Sequence, residues 1–253
     1  MKWLHKSTPN DIKMYQVSTL QALAMGHTKP VIDVAELKKH GNTGLGTYEG
    51  VNGEMIAADG QCYRAKDDGS VVIAEEDMGV PFASVCNFKG NTSFDIGEIK
   101  CIENLKTLLT IKIEEQFGLN SMHVVRIDGQ FDEIQARSEE AYNAIHVSLK
   151  DMLQITQKSF QFNDLGGTLV GVYYPDFMDG INAAGWHIHF VSDDRQKGGH
   201  VFELKMKCGQ ARLDKISTIE IQLPTDPVFD TYSLKEANDD DIKKVEQGTG
   251  SEK

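Results

Sequence analysis

The clearest periodic pattern lies in residues 98–117, EIKCIENLKTLLTIKIEEQF, where apolar positions recur every three or four residues. This spacing places them on one face of a helix, and Gly118 provides a stop signal. The residues on that face are Ile99, Ile102, Leu105, Leu108, Leu109, Ile113 and Phe117. The pattern therefore predicts an amphipathic helix packed against a core.

Two shorter helices are predicted near the start of the chain. Ser18 precedes TLQALAMG as a candidate N-cap, and Gly26 ends that segment. Asp33 with Glu36 three positions later resembles a capping box for VAELKKH, a segment followed by Gly41.

Short segments punctuated by turn dipeptides predict β-structure elsewhere. Asn-Gly at 52–53 and Asp-Gly at 59–60 and 68–69 are hairpin signals, which predict strands near 46–51, 54–58, 61–65 and 70–74. Residues 123–137 are interpreted as a hairpin or a bent strand pair around Asp128-Gly129, and 139–158 as a partly helical bridge. Residues 166–175 and 211–224 are interpreted as strands.

The composition is that of an ordinary globular protein, with 253 residues, 40% hydrophobic and 25% charged. The net charge of −12 and the lack of a basic stretch make nucleic acid and anionic membranes poor partners. No apolar run reaches membrane-spanning length and the N-terminus lacks a signal-peptide core, so we expect a cytoplasmic protein.

The four scattered cysteines are expected to be reduced and buried, and the polar last dozen residues to be disordered.

Three histidines lie within residues 185–201, GWHIHFVSDDRQKGGHV. His187 and His189 share a face of a strand because side chains alternate, while the intervening Ile188 faces the other way. SDDRQKGG can reverse the chain, which brings His200 beside the first pair. Three imidazoles converging in this way predict a metal site with an open position, suited to zinc and chemically possible for iron, nickel, copper or cobalt.

Other interpretations of these histidines remain open at this point. They could be exposed hairpin residues or hydrogen-bonded core residues. A non-haem iron or nickel oxygenase would complete the ligand set with Glu203 or Glu54. A metal-responsive binding module would need a fourth protein ligand and would show no turnover.

The chain resembles the α-acetolactate decarboxylases over most of its length. The blocks that carry the resemblance are GLGTYEGVNGEMI, IDGQFDEIQAR, GTLVGVYYP and GWHIHFVSDDRQKGGHV, in the order of that family. After Ala136-Arg137 the chain continues SEEAYNAIHVSL, without the proline that the family usually carries there.

The resemblance implies an α/β (α+β-like) fold of two domains, each a mixed β-sheet with flanking helices. Residues 1–145 would form the first domain, and 146–253 the second, with the histidine hairpin and an active-site tail. It also implies a homodimer that binds Zn²⁺ through His187, His189 and His200. The implied catalytic residues are Thr47, Glu54, Arg137 and a tail glutamate, Glu246, with Glu252 as its rival.

The implied reaction is the conversion of 2-acetolactate to acetoin and CO₂. The ketone beside the breaking bond can accept the electrons that CO₂ leaves behind, as an enediolate. A zinc ion that chelates the ketone and hydroxyl oxygens would stabilise this charge as a Lewis acid, so no organic cofactor is needed. Arg137 would bind the substrate anion and then stabilise the enediolate or relay a proton to it. Glu54 and Glu246 would orient the hydroxyl or transfer protons.

Overall fold

The computed structural model describes residues 12–234, and within them the chain is mostly β-strand. Thirteen strands and four α-helices are present in this part of the chain. The strands are β1 Ile12–Val17, β2 Ile32–Asp33, β3 Thr43–Thr47, β4 Glu54–Ala58, β5 Gln61–Ala65, β6 Val71–Ile73, β7 Gly79–Val80, β8 Phe82–Cys86, β9 Thr92–Ile96, β10 Met122–Glu139, β11 Gln157–Tyr174, β12 Gly185–Ser192 and β13 Gly198–Gln222. The helices are α1 Leu20–Ala24, α2 Val34–His40, α3 Ile102–Gln116 and α4 Leu149–Thr156.

Eleven of these strands form one mixed sheet. Its order is β10-β11-β12-β13-β1-β8-β3-β4-β5-β6, with β9 paired to β13 and a further pairing between β10 and β13. β1 runs parallel to β13 and antiparallel to β8, and β2 pairs with β7 in a separate small sheet. The predicted mixed sheet is therefore confirmed, although helices are fewer than an α/β description implies.

The prediction of two domains with one sheet each is not confirmed. β10 lies in the range 1–145, yet it pairs along most of its length with β11 and β13 from the range 146–253. β1 also pairs with β13. Strands from both ranges thus belong to one hydrogen-bonded sheet, and the boundary at 145/146 stays a prediction.

The predicted helices form, and two of the three start later than predicted. Thr19, and not Ser18, caps α1 by accepting a hydrogen bond from the Ala22 N–H at 3.2 Å. Asp33 caps α2 as predicted, with its carboxylate 2.8 Å from the Glu36 nitrogen. α3 begins at Ile102 because Ile99 bridges to Met206 of β13 and is extended.

The predicted hairpin or bent strand pair around Asp128-Gly129 is wrong, because Met122–Glu139 is one strand, β10, whose pairing with β13 is irregular only between Gln130 and Glu133 in this region. Gly129 lies directly between Gly167 of β11 and Gly209 of β13. A Cβ at Gly129 would lie 2.8 Å from the Cys208 carbonyl oxygen. The glycine thus serves close approach of neighbouring strands, and pairing on both edges overrides the local turn signal.

The first predicted strand, 46–51, is also displaced. β3 ends at Thr47, and Gly50, Val51 and Gly53 have positive φ values, so this segment turns into β4. The predicted strands at 54–58 and 61–65 match β4 and β5, and the last of this group shortens to β6.

The core lies on the faces of the large sheet. α3 packs Leu105, Leu109 and Ile113 into the largest apolar cluster, against β10–β13. α1 and α4 share a second cluster that contains Leu20, Leu23, Leu149 and Met152. These two short helices cover the region above the histidine hairpin and form part of the cavity described below.

None of the helices within residues 12–234 has the length and apolar character needed to cross a membrane. All four cysteines are free, as expected, but only Cys62 and Cys86 are buried, while Cys208 is exposed. The predicted disorder of the last dozen residues concerns a segment outside the described residues.

Candidate metal centre and active-site cavity

Three histidine side chains converge where β12 and β13 meet. His187, His189 and His200 are 7%, 0% and 4% exposed, and their candidate ligand nitrogens all lie within 4.8 Å of one another. The Nε2 atom of His187 is 2.9 Å from Nε2 of His189 and 3.1 Å from Nδ1 of His200. Nitrogens of a tetrahedral ion with bonds of about 2.0–2.1 Å lie roughly 3.3 Å apart, so the cluster fits a small cation.

The chemical state of the rings also suits a cation. Burial, together with the charge of Arg137, lowers the pKa of His187 to about 3, and burial lowers the pKa of His189 well below its usual value. Both rings are therefore neutral near pH 7, which is the form that binds metals. The Nδ1–H of His189 donates to the Met55 carbonyl oxygen at 2.8 Å, which leaves its Nε2 lone pair directed at the cluster.

Arg137 belongs to the same cross-strand row as two of the histidines. On β10 it pairs with His200 of β13, which in turn pairs with His189 of β12. Directly paired residues on adjacent strands project to the same face. Accordingly, the Arg137 Nη2 lies 3.3 Å from the His200 Nε2, and Arg137 is only 8% exposed.

Glu54, the first residue of β4, closes the cluster from another strand. Its carboxylate oxygens lie 3.4 Å from the His189 Nε2 and 3.7 Å from the His200 Nδ1. The backbone N–H of Glu54 donates to the Ser138 hydroxyl at 3.2 Å, which links β4 to β10 beside Arg137. A carboxylate at this distance can accept a proton from a ligand bound at the histidines or enter the coordination sphere.

Thr47 supports the turn that carries Glu54. Thr47 and Glu54 are direct partners in the pairing of β3 with β4. The Thr47 hydroxyl donates to the Gly53 carbonyl oxygen at 2.9 Å, and Gly53 has a φ of +92°. The hydroxyl therefore holds the residue that precedes Glu54.

One cavity connects these residues and encloses about 420 Å³ of space free of protein atoms, part of it continuous with solvent. Its lining contains five of the predicted site residues, namely Thr47, Glu54, Arg137, His187 and His200. His189 lies behind this lining. Glu246 and Glu252 lie outside the described residues, so the structure places neither of them.

The cavity also contains residues that the sequence analysis missed. Its apolar side is formed by Leu23, Val51, Phe82, Leu149 and Leu153, and Glu139 and Gln157 add polar groups. Leu149 and Leu153 belong to α4, within the segment interpreted only as a partly helical bridge. The cap motif Ser148–Asp151 and the apolar residues that follow could have located this helix.

Glu203, a carboxylate ligand in the alternative oxygenase interpretation, is placed elsewhere. Its side chain accepts hydrogen bonds from the backbone N–H of Ile102 at 2.7 Å and of Leu204 at 2.8 Å. It therefore caps the start of α3, and the candidate metal cluster contains only the three histidines among residues 12–234.

Comparison with known proteins agrees with this geometry. The family model for alpha-acetolactate decarboxylase matches residues 14–236. The chain belongs to the α-acetolactate decarboxylase family. Among α-acetolactate decarboxylases, the enzyme of Methanosarcina mazei is 35% identical over 92% of this chain and 80% of its own length. That of Klebsiella aerogenes is 33% identical over 93% of this chain and 90% of its own.

The fold agrees with a solved α-acetolactate decarboxylase structure as well. The crystal structure of the Bacillus subtilis strain 168 protein superposes with a TM-score of 0.87 at 28% identity, covering 92% of this chain and 99% of that one. The family-model match, residues 14–236, spans the histidine hairpin, Arg137 and Glu54 together, so the family assignment and the cavity concern the same part of the molecule.

Proposed function

We propose that this chain catalyses the decarboxylation of 2-acetolactate to acetoin and CO₂ at the three-histidine centre. The observation that carries the proposal is the cross-strand row Arg137–His200–His189, which sets a fixed positive charge beside a buried cluster of metal-ligand type. The family membership supports the same activity, because the relatives are named for it.

Zinc is the proposed metal, held by His187, His189 and His200. The neutral, buried ring nitrogens and their spacing fit such an ion. When bound, zinc supplies Lewis-acid stabilisation for the negative charge that develops on the substrate as CO₂ leaves. The three rings are buried, and His187 and His200 line the cavity, so a small ligand can reach the centre through the cavity.

Arg137 is proposed to bind the substrate carboxylate and to remain charged throughout the reaction. Its guanidinium carries a delocalised positive charge and offers a planar fork that matches a carboxylate. Because Arg137 lines the cavity beside His200, it can hold the anion next to the metal position. In this orientation its positive charge stabilises the negative charge that develops on the carbon next to the leaving carboxylate.

Glu54 is proposed to manage the proton of the substrate hydroxyl. Its carboxylate faces the cluster at 3.4 Å and 3.7 Å from two ring nitrogens. A hydroxyl bound between those rings and Glu54 would lie within hydrogen-bond reach of the carboxylate. Thr47 would act by holding the turn before Glu54.

Glu246 is proposed as a second carboxylate, brought from the tail, with Glu252 as its rival. A chain that ends at Asp241 should retain its fold and its zinc but lose most of its activity. Full activity of this truncated chain would exclude a role for both glutamates. A cytoplasmic location and a homodimeric state complete the proposal, and both follow from the sequence and its resemblance.

The direct test supplies racemic 2-acetolactate to the purified protein and assays acetoin. Activity should disappear after treatment with a chelator and return when zinc alone is added back. Oxygen consumption measured in parallel tests the oxygenase alternative, with Glu54 as its carboxylate ligand. Absence of acetoin from the zinc-loaded protein would refute the proposed function, and bound zinc without turnover would favour the sensor module.

A further inference from the structure

The cavity has an apolar wall in addition to its polar groups. We define this wall by the side chains of Leu23 on α1, Val51 in the turn between β3 and β4, Phe82 on β8, and Leu149 and Leu153 on α4. Leu149 and Leu153 are four positions apart, so they lie on the same face of α4. None of these side chains can bind an ion or transfer a proton, and the wall can therefore contribute to function only through its shape.

The members of the apolar wall differ in how deeply they are buried. Leu23, Val51, Phe82 and Leu149 are buried members of one apolar cluster. Leu153 packs against that cluster but is only partly buried. A side chain that lines the cavity and keeps free surface can contact a ligand there, and its truncation should disturb the core less than truncation of the other four.

The position of Leu153 is defined because α4 is anchored at its start. The Ser148 hydroxyl accepts a hydrogen bond from the Asp151 N–H at 3.2 Å and so caps the helix. The Val147 carbonyl oxygen lies so close to Gly26, just after α1, that a Cβ at Gly26 would be 1.9 Å from it. At its other end α4 continues directly into β11. The helix is thus tied to α1 and to the sheet, and its cavity face cannot shift freely.

The substrate of the proposed function has a polar and an apolar part as well. In 2-acetolactate, two adjacent carbons carry the hydroxyl, the ketone oxygen and the carboxylate, and each of them also carries a methyl group. The oxygens require charged or ligand groups, which Arg137, Glu54 and the histidine centre provide. The methyl groups are stabilised where they leave water for apolar surface, and the apolar wall provides such a surface.

We propose that Leu153 is a specificity-determining residue, which limits the size of the two alkyl groups of the substrate. This inference rests on the proposed function, since it takes the substrate from it. Methyl groups fit against the apolar wall, whereas longer alkyl groups collide with the side chain of Leu153. One methylene in an apolar pocket changes kcat/KM by about 10- to 200-fold, so a single leucine is enough for clear selection.

The first experiment compares two substrates in the wild type, Leu153→Ala and Leu153→Phe. The substrates are 2-acetolactate and 2-ethyl-2-hydroxy-3-oxopentanoate, in which ethyl groups replace both methyl groups, and CO₂ release measures turnover of each. The ratio of kcat/KM for the diethyl substrate to that for 2-acetolactate should rise about tenfold in L153A and fall in L153F. General damage to the site would lower both values together. A wild-type ratio in L153A, or a raised ratio in L153F, would overturn the proposal.

Ile155→Ala is the matched control. Ile155 lies on the same helix, is 67% exposed and lies outside the lining of the cavity. I155A removes as many carbon atoms from α4 as L153A does, and it should keep the wild-type ratio. An equal rise in I155A would overturn the proposal, because the effect would then come from the helix as a whole. If L153A does not fold, Leu153→Val should raise the ratio by a smaller factor, and a wild-type ratio in L153V would count against Leu153.

A binding measurement separates this inference from the proposed function. The anions 2-hydroxy-2-methylpropanoate and 2-ethyl-2-hydroxybutanoate carry the hydroxyl and the carboxylate but lack the ketone that accepts electrons. In calorimetric titrations with zinc present, the preference for the diethyl anion over the dimethyl anion should be about fivefold greater in L153A than in the wild type and I155A. An unchanged preference in L153A would overturn the proposal even in an active enzyme. The greater preference in a protein that produces no acetoin would refute only the proposed function.

Discussion

Arg137 and His200 are direct cross-strand partners, and their side-chain nitrogens lie 3.3 Å apart. The distance is set by the register of β10 against β13, with an irregularity in the pairing just before it, between Gln135 and Ala136. A shift of one residue would turn Arg137 to the opposite face of the sheet. The register of these two strands therefore determines whether the cavity contains a positive charge.

Replacement of Arg137 by lysine should lower kcat/KM about 100-fold, the scale of losing one preorganised group that stabilises developing charge. Lysine keeps the charge but not the planar fork. Steady-state acetoin production measures the effect. Arg126→Lys is the matched control, because Arg126 lies on the same strand but pairs with Asp59 and Asp128 away from the cavity. Comparable activity in R137K and R126K would contradict the role of Arg137.

Replacement of His189 by alanine should abolish both zinc binding and acetoin production. His189 is fully buried, and Met55 fixes its ring orientation, so the substitution removes one of the three imidazole ligands that converge on the site. Added zinc at 100 times its Kd should stabilise the wild type by about 2.7 kcal/mol, and this stabilisation should be absent in H189A. Thermal unfolding with and without zinc provides the measurement. His146→Ala, at an exposed position, should respond to zinc as the wild type does.

Replacement of Thr47 by valine should destabilise the fold by about 1 kcal/mol, because the buried Gly53 carbonyl loses its hydrogen-bond donor. The loss of activity should be larger than this loss of stability alone would cause, since the same turn carries Glu54. Urea denaturation and steady-state kinetics test the two parts. Thr47→Ser retains the hydroxyl and should behave nearly as the wild type. Equal kinetics in T47V and T47S would remove Thr47 from the support of Glu54.

Replacement of Gly26 by alanine should destabilise the protein strongly. Gly26 has a φ of +92°, and a Cβ there would lie 1.9 Å from the Val147 carbonyl oxygen, so α1 and α4 must separate. The loss in free energy of unfolding should exceed the roughly 1–2 kcal/mol that a left-handed backbone alone costs a residue with a Cβ. Gly60→Ala is the control, since Gly60 has a φ of +77° with nothing within 4 Å. The difference between their unfolding free energies measures the contact, and similar values would contradict it.

Stability should decrease in mild acid partly because of His123. Burial, assisted by the charge of Lys215, lowers the pKa of His123 from 6.5 to about 4. Between these values the unfolded chain binds the proton more readily than the folded protein does, so the stabilisation present above pH 6.5 is lost as the pH falls towards 4. From pH 7 to pH 5 the loss amounts to about 2 kcal/mol.

The measurement compares urea denaturation of the wild type and His123→Phe at pH 7 and pH 5. Phenylalanine is apolar and suits the contacts of His123 with Phe117 and Tyr173. The variant should lose less stability than the wild type over this interval, and the difference isolates His123 from the buried histidines of the metal centre. Identical pH dependence in both proteins would contradict this, because it would mean that His123 binds its proton equally readily in the folded and unfolded chain.

The histidine cluster was predictable because its geometry is local. Alternation along β12 places His187 and His189 on one face, and a short loop returns His200 to them. Thr47, Glu54 and Arg137 came from the family resemblance, since no local pattern links residues on three separate strands. Their meeting in one cavity depends on sheet order, which the sequence analysis did not derive.

The errors share a physical cause. Asp128-Gly129 is a strong turn signal, yet β10 continues because both of its edges are paired. The role of Glu203 at the start of α3 depends on a contact between segments about 100 residues apart. Such contacts are tertiary, so a local pattern over about ten residues does not predict them.

The parallel pairing of β1 with the end of β13 has a consequence for synthesis. Residues 12–17 align with 216–222, so the first strand acquires its second neighbour only when nearly the whole chain exists. On a ribosome, β1 can pair with β8 early, but its other edge stays open until residue 222 emerges. Pairing across such a separation in sequence closes slowly, and the nascent protein must keep that edge from associating with other chains in the meantime.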